Sequence, residues 1–527
     1  MAPREELLLI LDLTSTVLRA GVGVADLIRG PLLELPTRLG RKSNTKGTQV
    51  EDYLVGHYLS EAERTGSEEF EVVYPLQVDP KVGFIVTDWV GLEAVFRYAF
   101  HISLQLPRPP LLHPTVLSVP PSLPHSTTDS LHRLLFERLL VPSLLLSSRP
   151  FFAAGASGVT SGVILDIGWR GEGCEVSVVH DNQVYEAPGG SRVSWVDEGV
   201  LDDYCAVKIW EENRESLMDG FGKAREEEGK ELNQGEILDG VRRIVGELKN
   251  RDLIGFKSKL YTPPINLQAL GDTVTGGEED GQFDVAKVVA EGKVSEIVKK
   301  SKSKSKTGTT SEGDFVTIPN PFSPPPPPPQ IDLTIPVAEI PEHANLSIGP
   351  SRHLYLEPLF FPQVLSDTLT STNDAAKEIG LTYFERIQVP KHGIQEVIGS
   401  VLTSIKDLEV KEAVCENLIV ISSGRVASNR ALGSTLLPLL SPYSATPQPP
   451  DQAMIDQAIT PRGPMRYART PEYFANFKEH AGDWGVYLGA CIMGKLLIGD
   501  QQAKLFMSKA EYTQKGPAYY RQMEIIP

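Results

Sequence analysis

Two stretches of this chain share one pattern of apolar and polar positions. LLLILDLTSTVLRAGVG (residues 7–23) is an apolar run that closes on Asp12, turns through Thr14, Ser15 and Thr16, and resumes as a second apolar run. GVILDIGWRGEGCEVSVV (residues 162–179), about 150 residues further on, does the same around Asp166. Each pattern predicts a β-hairpin whose first strand delivers a carboxylate to the turn. Helical periodicity lies between them. In DWVGLEAVFRYAF, Leu92, Val95, Phe96, Ala99 and Phe100 share one face, with Asp88 placed as N-cap. In STTDSLHRLLFERLL the face is Leu131, Leu134, Leu135 and Leu139, opened by Ser126 and Asp129 at capping-box spacing. The small-residue stretch FFAAGASGVTSG (residues 151–162) reads either as a helix end packed tightly on the second hairpin or as a hinge. Near the C-terminal third, ENLIVISSGRVASNRALG (residues 416–433) predicts a strand, a Ser-Ser-Gly turn and a helix.

The alternation breaks between residues 257 and 330. That stretch holds GGEEDGQ (276–282), KKSKSKSK (299–306) and SPPPPPP (323–329). Low hydrophobicity with charge and proline runs cannot recover the entropy of ordering, so the composition predicts a disordered insertion rather than a domain. Its proline run suits an aromatic groove and its lysine run an import signal or a phosphate contact, although most such runs are solvated linker.

Composition narrows the picture further. The 527 residues allow about three to four domains, and 41% hydrophobic content supplies large cores. A net charge of −17 argues against a chain-wide nucleic-acid surface. The four cysteines, Cys174, Cys205, Cys415 and Cys491, show no metal-ligand spacing and read as buried thiols in a reducing compartment. Apolar runs are interrupted by Asp12, Glu137, Arg138 and Lys495 before they reach membrane-spanning length, and MAPREELLLILD is unlike a secretory signal. These features predict a soluble intracellular protein with no membrane partner.

Two facing hairpins of this kind form a phosphate clamp, because turn N–H groups point at phosphate oxygens while paired aspartates hold a hydrated Mg²⁺. Taken with that plan, several motifs resemble the actin superfamily over nearly the whole chain outside the insertion. They are LPTRLGRK (35–42), YPLQVDPKVGFIVTDWVGLEAVFRYAF (74–100), ASGVTSGVILDIG (156–168), SIGPSRHLYLEPLFFP (347–362), NLIVISSG (417–424), and WGVYLGACIMGKL with FMSKAEYTQKGP (484–496 and 506–517). The resemblance implies an α/β actin-like ATPase fold, with two lobes of mixed sheet flanked by helices. Residues 1–158 and 470–527 would form the first lobe, residues 159–256 and 331–469 the second, and 257–330 the insertion, with hinges near Ala156 and Thr470.

Residue by residue, the resemblance implies a degenerate nucleotide site. Asp12 and Asp166 match the Mg²⁺-facing carboxylates, Ser15 keeps a loop hydroxyl, and Gly168 and Gly424 keep two glycines. Thr14 and Thr16 stand where the family has glycine, placing a Cβ where backbone should meet phosphate. Arg19 replaces the phosphate-contacting lysine, and Trp169 and Arg170 replace an Asp-Gly pair. The glutamine that orients the attacking water aligns with Arg149, and the family's imidazole falls near Gly173 or Cys174. An arginine cannot accept a proton from water, so no catalytic residue is expected. Asp12 and Asp166 read equally as turn residues and as metal contacts. No cofactor is required on this reading, with weak ATP or ADP and Mg²⁺ left open at Asp12, Thr14, Ser15, Asp166, Gly168 and Gly424, and no dedicated metal site.

RTPEYFANFKEHAGDWGVYLGACIMGKLL (469–497), the insertion and the degenerate loops resemble the actin-related subunits of the fungal SWI/SNF and RSC chromatin remodellers. That likeness implies a nuclear, non-catalytic scaffold. It would hold the helicase-SANT-associated helix of the remodeller ATPase together with a second actin-related protein, and meet chromatin indirectly. Tyr487, Leu488 and Ile492 lie where actin relatives take partner helices, and read equally as core. VPSLLLSSRPFFAAGASGVTSGVILDIGWR (141–170) also resembles the dynactin pointed-end actin-related proteins, and an active actin-like ATPase is the remaining alternative.

Overall fold

Both expected hairpins form. Strand β1 (Leu9–Leu13) turns into β2 (Val17–Val22), with Asp12 opposite Arg19 in the antiparallel register. Strands β3 (Thr115–Val119) and β4 (Ser143–Ser148) run parallel in the order β1, β3, β4. Leu33–Pro36 on one edge and Met507–Ser508 on the other complete a six-stranded mixed sheet. Helix α1 (Arg149–Ser157) follows β4 directly and ends at Gly158, whose φ of 68° makes the left-handed cap that glycine accepts without strain. The second hairpin is β5 (Gly162–Ile167) with β6 (Cys174–His180). Parallel to β5 lies β7 (Asn417–Ser422), and Gln183–Tyr185, Arg192–Val193 and Arg466–Tyr467 fill out the second mixed sheet.

A computed structural model describes residues 5–523 except 25–28, 67–68, 80–82, 108–110, 122, 186–190, 229–232, 259, 261–330, 335–344, 384–388, 445–464, 472–473, 478–479, 481 and 500–504. The described residues belong to one compact unit built from Met1–Tyr261 and Gln330–Pro527. Nearly all of the low-complexity stretch, expected to be a disordered insertion, lies outside the described residues.

The side-chain period of two in a strand decides where the two aspartates go. Leu9, Leu11 and Leu13 of β1 enter one buried cluster, with Phe96, Phe100 and Leu135, while Ile10 enters another. In β5, Val163, Leu165 and Ile167 join a cluster with Tyr204, Val207 and Trp210 of helix α2 (Glu198–Glu228), while Ile164 joins the same cluster as Ile10. That shared middle layer also holds Phe152 of α1 and Leu488 of α3 (Gly485–Gly499), so both sheets bury one face against the same helix pair. Asp12 and Asp166 have the parity of Ile10 and Ile164, and therefore face this layer at the N-terminal end of α1. Strands buried on both sides explain why the apolar runs are nearly continuous.

Several local expectations hold. Trp89–Arg97 is a helix whose first turn Asp88 caps by accepting from Gly91 N–H at 2.8 Å, and Leu92, Val95, Phe96, Ala99 and Phe100 are all buried. The stretch after Phe151 packs tightly, though chiefly against α3: a Cβ on Gly489 would stand 1.8 Å from the Phe152 carbonyl oxygen. All four cysteines are buried free thiols. Among the described residues no helix is long and apolar enough to cross a membrane.

One expectation is corrected, and one open alternative is decided. The Ser126/Asp129 capping box does not form, because the helix starts at His125 after Pro124, which places Ser126 inside the first turn. Ser126 instead accepts a hydrogen bond at its carbonyl from the Ser130 hydroxyl, and Asp129 pairs with Arg521. Tyr487 and Leu488 are core residues, 3% and 0% exposed, and Ile492 packs against the same cluster, so these three do not form an open groove wall.

Candidate functional site

The turn between β1 and β2 is stabilised by its own hydroxyls. Thr14 Oγ1 accepts from Val17 N–H at 3.0 Å, an ST-type turn that stands in for the conformational freedom of glycine. Buried Thr37 donates its hydroxyl to the Ser15 carbonyl, and Thr37 N–H donates to the Thr16 carbonyl at 2.9 Å. What remains free to bind at this turn is the Ser15 backbone N–H and hydroxyl.

Both are taken by Glu172. Its Oε1 accepts from Ser15 N–H at 2.9 Å and from the Ser15 hydroxyl, and its Oε2 accepts from Trp169 N–H at 2.6 Å and from the Ser423 hydroxyl at 2.7 Å. The sequence Gly171-Glu172-Gly173 makes this reach possible: both glycines have positive φ, 82° and 72°, and a Cβ on Gly173 would lie 2.1 Å from the Val193 carbonyl oxygen. Asp197 fixes the same loop, accepting from Gly171 N–H at 2.7 Å and from Val200 N–H at 2.9 Å, the latter capping the start of α2. Burial pushes the Asp197 carboxyl up to about 6.

The floor of the cleft is Arg149, the first residue of α1. Its Nη1 donates to Asp12 Oδ1 at 2.9 Å and its Nε to Asp166 Oδ2 at 2.8 Å, joining the two hairpins through one guanidinium that is 2% exposed. Burial works against charge on Arg149, yet Asp166 and Asp12 outweigh it and its pKa rises. Burial also raises the Asp166 carboxyl, with Arg149 pulling partly back. Arg19 adds a second link across the cleft: it lies 3.5 Å from Asp12 Oδ2 and donates to the Ser423 carbonyl at 2.8 Å. Where the resemblance suggests a loop for the adenosine, Glu198 accepts from Arg425 N–H at 2.9 Å and Val426 N–H at 3.2 Å and pairs with Lys249 at 3.0 Å. A Cβ on Gly424 would meet that same carboxylate at 2.4 Å.

Fitting a magnesium nucleotide to these residues fails on three counts. Both candidate metal-facing carboxylates are bonded to Arg149, whose fixed positive charge would repel the cation. The Ser15 N–H and hydroxyl that would greet a phosphate already hold a carboxylate. The cavity lined by Thr14, Arg149, Asp166, Gly168, Glu172 and Ser423 measures about 40 Å³, room for a few waters only. Arg149 Nη2 and Asp166 Oδ1, buried there with no hydrogen-bond partner among the described residues, are groups such waters would satisfy. Among the described residues no cluster of histidine, cysteine, aspartate and glutamate is arranged to hold a metal ion.

The structure brings Asp12, Thr14, Ser15, Asp166 and Gly168 to one cleft, as the two hairpins imply, and places Gly424 beside Ser423 at its edge. Trp169 and Arg170, which stand where the resemblance has an Asp-Gly pair, lean away from the cavity: Arg170 is exposed and reaches Asp203 at 3.4 Å, and the Trp169 ring stacks under Lys249 at 5.1 Å. Glu172 is the residue that fills the space, and it was not among the sequence candidates. Its signal was an acid between two glycines in the hairpin turn. Cys174, one of the two positions near which the resemblance sets the family's imidazole, is a buried thiol with its pKa well above the ordinary value and its Sγ 3.3 Å from the Val196 carbonyl, so it offers no base.

Comparison with known proteins agrees with this architecture. The family model for actin matches residues 4–192. A Neurospora crassa protein described as an actin-like protein is 30% identical over 163 residues, which cover 30% of this chain and 40% of that protein. The Schizosaccharomyces pombe SWI/SNF and RSC complexes subunit arp9 is 20% identical over an alignment of 567 positions that covers 98% of both chains. Actin-related protein 4 of Arabidopsis thaliana is 29% identical over 102 residues, 19% of this chain and 22% of that protein. The match thus spans well under half of the Neurospora and Arabidopsis relatives but nearly all of the fission-yeast one.

Proposed function

Because this chain is an actin-related protein, we propose that it serves as a non-catalytic subunit of a SWI/SNF- or RSC-type chromatin remodelling complex in the nucleus. The observation that carries the non-catalytic reading is the buried Arg149 bridge. Actin-type hydrolysis needs a cation held between the phosphates and the carboxylates and a water placed in line, and here a guanidinium is bonded to both carboxylates while the Glu172 carboxylate already accepts four hydrogen bonds. What supports the remodeller assignment is the alignment with the fission-yeast subunit, which runs through both sheets rather than through one motif. On this reading the chain grips a long amphipathic helix of the remodeller ATPase, lays its apolar face against an actin-type surface beside a second actin-related protein, and reaches chromatin only through that assembly.

Co-expression of the full chain with an actin-related partner and the helicase-SANT-associated helix of a remodeller ATPase tests the proposal. Size-exclusion chromatography with light scattering should give one stable complex with one copy of each, and the complex carrying this chain should hydrolyse ATP no faster than the same complex with Asp166→Ala. Filaments of this chain alone, turnover that Asp166→Ala abolishes, or firm binding to dynactin subunits with none to the remodeller helix would overturn it.

A further inference from the structure

We infer that Glu172 and Arg149 are built-in replacements for a bound anion and its counter-cation, so that the cleft is held closed by the chain itself and Glu172 masks an anion site on the β1–β2 turn. The inference rests on the cleft being catalytically silent but not on membership of any remodelling complex.

The geometry of the Glu172 carboxylate matches what that turn would offer a phosphate. One oxygen lies on a backbone N–H and a hydroxyl of the first hairpin, and the other on a backbone N–H of the second hairpin and the hydroxyl of Ser423. An anion seated by donors from both hairpins ties them together, and charge-assisted bonds of this kind are the stronger class. Behind it, Arg149 sits between Asp12 and Asp166 as a divalent cation would, and Arg19 ties β2 to Ser423 beyond the end of β7. Partners on opposite sides of the cleft are far apart in sequence, 157 residues for Ser15 and Glu172 and 404 for Arg19 and Ser423. Each contact therefore closes the cleft rather than a local turn.

An exogenous polyphosphate would have to displace a tethered carboxylate that is present at high effective concentration, which a free ligand matches only at great excess. Removing that carboxylate leaves the Ser15 N–H and hydroxyl, Trp169 N–H and Ser423 hydroxyl as unused donors around a larger cavity. Arg149 and Arg192 remain in the lining of the same cavity to offset added negative charge.

Hydrogen exchange read by mass spectrometry on the full-length chain, in whatever assembly it purifies with, tests this peptide by peptide, so a nucleotide bound to a partner does not enter. In the wild type, peptides covering residues 9–22 and 162–180 should exchange at the same slow rate with and without magnesium tripolyphosphate. Glu172→Ala should speed exchange at both turns by about tenfold or more, and tripolyphosphate should restore protection in a saturable way. Glu172→Gln keeps the shape and one acceptor, so it should fall between the two without gaining tripolyphosphate protection as strong. Wild-type protection that rises on adding tripolyphosphate, or unchanged exchange in both variants, would overturn the inference. If Glu172→Ala does not accumulate folded, the Glu172→Gln comparison alone decides, by the same two criteria.

Discussion

At the scale of single residues, the cleft depends on charges that no solvent screens. Arg149 pairs with two buried carboxylates, so replacing it with glutamine leaves Asp166 without its counter-ion and Asp12 with Arg19 alone. Breaking a buried ion pair from one side typically costs about 3–5 kcal/mol, and Arg149→Gln should lower unfolding free energy by that order in urea titrations. Adding Asp12→Asn and Asp166→Asn to it should recover much of the loss, because the isolated charges go with it. A second prediction concerns Asp197, whose folded pKa of about 6 lies above the 3.8 of a free aspartate. A carboxyl raised on folding stabilises the protein when protonated, so its contribution is present below pH about 4 and lost as pH rises through about 6. The stability difference between wild type and Asp197→Asn should therefore shift by about 2–3 kcal/mol in favour of the variant between pH 4 and 7. Paired denaturation curves across that range check it, and parallel curves would count against a raised Asp197.

At the scale of elements, the contact between α1 and α3 sets how near the two sheets approach their shared layer. Gly489 and Gly155 allow it: a Cβ on Gly489 would overlap the Phe152 carbonyl, and one on Gly155 would lie 2.8 Å from Met493 Cγ. Backbone cannot swing aside as a side chain does, so Gly489→Ala should destabilise by about 1–3 kcal/mol, as overpacked cores do. Gly485→Ala on the same helix finds its nearest neighbour at 3.9 Å and should stay within about 0.5 kcal/mol of wild type. Comparing the two by urea midpoint separates close packing from helix propensity, since propensity alone would favour alanine at both.

At the scale of the whole molecule, Met1–Tyr261 and Gln330–Pro527 make one compact unit without the residues between them. Replacing residues 262–329 with a short Gly-Ser linker should leave the melting temperature of the remainder nearly unchanged, because the removed sequence is poor in apolar residues and rich in lysine and proline runs. A large drop would mean that part of it docks on the rest. The same scale shows what holds the two hairpins in place. Both sheets bury a face against α1 and α3, and Arg149 and Glu172 bond the hairpins to one another across the cleft.

The sequence by itself determined what repeats with short period. The paired apolar runs of residues 7–23 and 162–179 set the strands and put Asp12 and Asp166 at matching places in them, and helical spacing set the buried face from Leu92 to Phe100. It also exposed the departures at Thr14, Thr16, Arg19 and Arg149. Tertiary structure decided which groups meet across long separations. That Glu172 rather than Trp169 fills the cleft follows from a loop whose path is set by Gly171, Gly173 and Asp197, and that Tyr487 and Leu488 are core follows from α3 lying between two sheets. Periodicity fixes the direction of a side chain relative to its own element, but its partner is fixed by where a second element crosses, and no local pattern carries that information.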